Sequence, residues 1–72
     1  MDIKFTLEND YIELNKLLKA TGLCLTGGMA KVAIDEGLVK VDGKTELRKR
    51  CKIRKGQRVD FKGDIIEVEE MI

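Results

Sequence analysis

At Gly37 the hydrophobic rhythm of this chain changes period, and that switch fixes the fold class. Before it, apolar residues recur every three or four positions. Leu14, Leu17, Leu18 and Thr21 follow the i, i+3, i+4, i+7 spacing of one buried helix face, and Ala30, Ala33, Ile34 and Gly37 repeat it. After it the period is two. Leu38-Val39-Lys40-Val41, Arg58-Val59-Asp60-Phe61 and Ile65-Ile66-Glu67-Val68-Glu69 read as strands, as does Ile3-Lys4-Phe5-Thr6-Leu7 at the start. The pattern gives an α+β fold, with two short helices packed on a small, mostly antiparallel sheet.

The punctuation agrees with the periods. Asp10 is the expected cap of the first helix, with Glu13 three residues on completing a capping-box-like pair. Gly22 ends that helix, and the link Leu23-Cys24-Leu25 is short enough to force a compact helix pair. Thr26 is the expected N-cap of the second helix and Gly37 its stop; Lys31 and Asp35, four apart, share another face. Asp42-Gly43 is a tight reversal between strands, and Lys44-Thr45-Glu46-Leu47 returns from it as a weaker strand. Turns at Lys55-Gly56 and Lys62-Gly63-Asp64 frame a terminal hairpin.

A chain of 72 residues supports one domain, residues 1–72, with one modest core; at this size about 60% of the unfolded surface is buried. No apolar run approaches the roughly 20 residues that span a bilayer, and the first residues lack the cationic lead and apolar stretch of a secretory signal. A cytoplasmic location is therefore expected, with Cys24 and Cys51 reduced and packed. There is no histidine, no CxxC spacing, no phosphate-binding loop and no nucleophile elbow. No metal, cofactor, small-molecule substrate or catalytic residue is expected, so the chain reads as a binding module rather than an enzyme.

The net charge of +1 conceals a segregation. Residues 31–58 hold ten basic and four acidic side chains, whereas residues 59–72 hold one basic and five acidic. The densest stretch is Arg48-Lys49-Arg50-Cys51-Lys52-Ile53-Arg54-Lys55. Such clustering suits a polyanion more than an overall pI does.

Residues 13–61 resemble the S-four RNA-binding domain, whose core is the alpha-L motif. The resemblance rests on Leu14, Leu17, Leu18 and Gly22-Leu23, on Thr26 where the family usually has serine, and on Ala30-Lys31 and Ile34. It is most specific at Gly37-Leu38-Val39-Lys40-Val41-Asp42-Gly43-Lys44, close to the family's G-x-V-x-V-N-G-K, and Gly56 matches the glycine before the last core strand. Thr26-Gly27-Gly28-Met29-Ala30-Lys31 and Arg48-Lys49-Arg50-Cys51-Lys52-Ile53 resemble the small stand-alone bacterial members, the YbcJ-like and YaaA-like proteins. The resemblance implies binding to structured RNA, commonly ribosomal or transfer RNA, and the chain is expected to act as a monomer. Two positions depart from the family. Gly27 stands where many members carry an RNA-contacting arginine, and Glu13-Leu14-Asn15 replaces a frequent Arg-Leu-Asp.

The candidate RNA-binding residues are therefore Thr26, Gly27, Gly28, Lys31, Lys40, Lys44, Arg48, Lys49, Arg50, Lys52, Arg54 and Lys55. A helix start with glycines lets a phosphate approach backbone N–H groups, although the glycines also suit a tight entry turn. The departures shift the expected weight to the basic run, with Arg48, Arg50 and Lys52 on one strand face and Cys51 and Ile53 turned inward. Phe5 and Phe61 read as core, which favours recognition by shape and backbone charge. The competing reading is a protein-interaction module, ribosome-associated through its basic strand or acidic C-terminus.

Overall fold

The computed structural model describes residues 2–70, and in it the change of period at Gly37 separates the helices from the strands that follow them. Strand β1 (Asp2–Leu7) and the short β2 (Ile12–Glu13) precede helices α1 (Leu14–Ala20) and α2 (Gly27–Asp35). Strands β3 (Val39–Val41), β4 (Lys44–Thr45), β5 (Lys52–Ile53), β6 (Arg58–Phe61) and β7 (Asp64–Glu70) follow. Five strands form one sheet in the order β1-β7-β6-β3-β4, and β2 and β5 form a separate two-stranded ribbon. Every pairing is antiparallel except β1 with β7, which run parallel.

The buried faces are those that the periods mark. Leu14, Leu17 and Leu18 from α1 and Ala30, Ala33 and Ile34 from α2 meet Val39, Val41, Val59, Ile66 and Val68 from the sheet in one core. Each large aliphatic side chain removed from water there contributes about 1.5–3 kcal/mol. Cys24 lies in this core, and Phe5 and Phe61 pack against it half-buried. Helix α2 ends as the glycine predicts. Gly37 takes φ 74°, its N–H donates to Ile34 O at 3.1 Å, and Leu38 N–H donates to Ala33 O at 3.1 Å. This is a Schellman ending. At the β3–β4 reversal Asp42 and Gly43 have φ 52° and 83°, the doubly left-handed turn that Asp-Gly favours.

Two expectations need correction. The first helix starts at Leu14, not after Asp10, and Glu13 at its cap position makes no side-chain cap hydrogen bond. The reason is tertiary: Ile12 and Glu13 stay extended to pair with Ile53 and Lys52. The basic run is not one strand. Residues 48–51 make a turn, closed by Cys51 N–H donating to Arg48 O at 3.2 Å, and only Lys52–Ile53 is strand. Lys31 and Asp35 do share an exposed face of α2, and Asp35 takes its ion pair from Lys49 across the fold.

Candidate nucleic-acid interface

The start of α2 is built by one side chain. Thr26 stays extended and its Oγ1 accepts the Met29 N–H at 3.1 Å, satisfying a first-turn donor. Neither following glycine is required by the fold. A Cβ on Gly27 would meet nothing within 4 Å, one on Gly28 only Thr26 Oγ1 at 3.8 Å, and neither has positive φ. The first turn of α2 thus exposes backbone that the packing does not need bare. Lys31 sits one turn later, exposed, and has no ion pair among the described residues. The rest of this outer surface is apolar, with Leu25, Met29 and Val32 all more than half exposed.

The hairpin lysines do not converge on that surface. Lys40 alternates with buried Val39 and Val41, so it lies on the sheet face away from the helices, opposite Asp60 and Thr45. Lys44 pairs in register with Val41 at the sheet edge and is exposed.

The basic turn is anchored through contacts that carry no local sequence signal. The first two N–H groups of α1 donate to its carbonyls: Leu14 to Cys51 O at 2.9 Å and Asn15 to Lys49 O at 3.0 Å. These donors have no partner inside the helix, so the backbone of the basic turn caps α1 in place of a side chain. Lys49 Nζ also reaches Asp35 near the end of α2, at 3.1 Å. The turn therefore bridges the start of α1 and the end of α2. The glycine-bearing start of α2 lies about 12 Å further along that helix, at 1.5 Å rise per residue, with Lys31 between.

Most charges in the run already face a carboxylate. Arg48 forks onto Glu46, Nε to Oε2 at 3.0 Å and Nη2 to Oε1 at 3.1 Å, and its own N–H donates to Oε2 at 3.1 Å. The Arg48 guanidinium and then its backbone N–H hold the Glu46 carboxyl at about 2. Burial, with Glu46 alongside, pushes the Cys51 thiol up, so it remains a donor to Glu46 Oε1 at 3.4 Å. Cys51 is only half-buried, less enclosed than the inward packing role expected of it. Glu13, which replaces a basic residue of the family pattern, takes Lys16 at 3.2 Å and Arg50 at 3.9 Å. Lys55 pairs with Glu70 at 2.9 Å. The cations of these pairs are solvent-exposed even where Glu46 and Glu13 are half-buried, which keeps each pair to about 0–1 kcal/mol, so the pairs orient the cations without locking them. Lys52 and Arg54 differ. Neither has a carboxylate partner among the described residues, and both approach the ring of Tyr11, at 4.9 and 5.8 Å from its centroid. Sequence reasoning passed over Tyr11 and Lys16. The alternation Tyr11-Ile12-Glu13 was the available signal, masked by the helix-start chemistry around it.

A pair of short helices, docked on a small sheet and tied to a basic turn through the first helix's N-terminus, defines an αL-type domain. The sequence profile of the S4 domain family matches residues 5–69. The chain belongs to that family, which is one of RNA-binding domains rather than of enzymes. It is 51% identical over 61 residues to YbcJ of Escherichia coli K12 and equally to YbcJ of Shigella flexneri, a match covering 85% of this chain and 87% of each relative. The solution structure of E. coli YbcJ, described as revealing an αL motif involved in RNA binding, matches with TM-score 0.72 and 49% identity. It covers 92% of this chain and 85% of the YbcJ chain. No helix among the described residues is long and apolar enough to cross a membrane.

Proposed function

We propose that this chain acts as one unit, residues 1–72, that binds structured RNA without catalysing a reaction. The observation that carries the reading is the basic segment, residues 48–55, held by backbone hydrogen bonds against α1 of an αL helix pair. Rigid anchoring presents the guanidinium forks of Arg48, Arg50 and Arg54 and the ammonium groups of Lys49, Lys52 and Lys55 to phosphates at little entropic cost. Thr26, Gly27, Gly28 and Lys31 extend the surface along α2, where bare backbone N–H groups suit a phosphate. Lys40 and Lys44 stand apart from it, on the far sheet face and at the sheet edge, and would add only longer-range attraction. Ribosomal or transfer RNA in a bacterial cytoplasm is the partner class, with the chain acting as a monomer. The E. coli relative's description as RNA-binding supports this reading.

Titration of a structured RNA across ionic strengths tests it. With three to five phosphates neutralised, log affinity falls against log salt with a slope of about −2 to −4.5. An affinity that stays flat from low to physiological salt removes this mode of binding. The exposed Leu25, Met29 and Val32 favour a second reading, a protein-interaction module on the ribosome. Recovery of one protein partner after ribonuclease treatment, with no RNA affinity, would establish it instead.

A further inference from the structure

The β2–β5 ribbon carries an arrangement that phosphate binding alone does not use. Ile12 and Ile53 pair across it and turn inward, Ile53 fully buried. Strand alternation then puts Tyr11, Glu13, Lys52 and Arg54 on the outward face. Tyr11 is the only tyrosine, and the chain has no tryptophan. Phe5 and Phe61 pack against the core, whereas Tyr11 is 39% exposed. The two cations of the basic run without a carboxylate partner among the described residues, Lys52 and Arg54, are the two beside its ring. Tyr11 also walls an open cleft with Glu8, Asn9, Asp10, Glu13 and Lys16, a polar and mostly acidic lining that does not suit a second phosphate.

We infer that Tyr11 is a stacking platform for an unpaired nucleobase of the bound RNA, with the flanking phosphates held by Lys52 and Arg54. The proposal rests on the RNA-binding reading and sharpens its ligand: a helix interrupted by a bulge or loop, not a continuous duplex. Proteins reach RNA bases where these are unstacked, and they do so by stacking on aromatic rings beside cationic side chains. A lysine and an arginine already drawn to the ring quadrupole are placed to trade that contact for a phosphate on the nucleotide that covers the ring.

The test titrates the full chain with two short blunt-ended RNA duplexes of the same sequence, one carrying a bulge of unpaired adenosines. Tyr11 is the sole source of tyrosine emission, so the protein reports on the site without a label. The bulged RNA should bind roughly tenfold more tightly, the scale of one stacked base, and should quench that emission, while the plain duplex leaves it unchanged. Tyr11→Ala should lower the affinity for bulged RNA to that for the duplex, and Tyr11→Trp should retain the preference. Equal affinities with unmoved emission overturn the platform and leave phosphate binding standing. Binding to neither RNA at low salt overturns the RNA-binding reading and the platform with it. Because the emission is read on the unaltered chain, the outcome does not depend on Tyr11→Ala folding.

Discussion

The two ends of α2 offer an RNA opposite kinds of surface. Its start, Thr26-Gly27-Gly28, has almost no side-chain charge but exposes backbone that packing does not require bare. Its end lies beside the basic turn, where charge is dense yet committed: Arg48 to Glu46, Lys49 to Asp35, Arg50 to Glu13. The difference teaches that charge density in a sequence is not charge available to a ligand. In the run from 48 to 55 the cations without carboxylate partners among the described residues are Lys52 and Arg54, neither of which stands out from its neighbours in the sequence. The paired cations stay usable because solvent-exposed pairs exchange at little cost when a phosphate offers the same charge.

The largest effect removes both ends at once. Ala33 is 6% exposed against the sheet, and Ala33→Asp places an unpaired carboxylate there. A loss of several kcal/mol is expected, enough to unfold a domain this small, and a thermal melt reads it. A variant that retains a cooperative native melt would show that the inner face of α2 is wrongly placed.

The next effect sets one end against the other. Reversing Arg48 and Arg50 together to Glu should abolish measurable RNA binding at physiological salt. Gly28→Asp, which sets an anion at the helix start, should weaken it less. The melt of the double variant should drop by no more than about 1 kcal/mol, since both side chains are exposed. If Gly28→Asp proves the more damaging, the helix start is the principal site and the ranking inverts.

A smaller effect isolates the bare backbone. Gly27→Ala meets no neighbour within 4 Å, so it should raise stability by up to about 1 kcal/mol. If a phosphate lies on that turn, the same methyl group should cost affinity several-fold. Unchanged affinity with raised stability would show that the glycine serves neither packing nor binding.

The smallest effect concerns pH. The Glu46 carboxyl is held at about 2 in the fold, below its ordinary 4.5. A lowered folded value means that the stability it contributes is fully present above about pH 4.5. That contribution fades as pH falls toward 2. Glu46→Gln should flatten the acid limb of the stability profile within that window. It should also release Arg48 and tighten RNA binding by roughly twofold, the scale of a surface ion pair. An acid limb identical to that of the unaltered chain would mean that the fork adds nothing.

The sequence by itself determined what is local. The inward faces of both helices, the Thr26 cap, the Gly37 ending and the Asp42-Gly43 reversal follow from side-chain period and from backbone angles that few residues tolerate. The charge segregation was legible as well, because counting needs no geometry. The tertiary structure decided what depends on distant partners. Ile12 and Glu13 carry helix-start signals and still stay extended, because Ile53 and Lys52, about forty positions on, complete their ladder. The N-terminal strand lies parallel beside the last one, a neighbour that its alternation does not name. Which arginine meets which carboxylate, and which cations remain for Tyr11, follows from these pairings. Period and turn chemistry act within a few residues, whereas strand partners are chosen by closure of the whole core, and that choice leaves no mark on the local sequence.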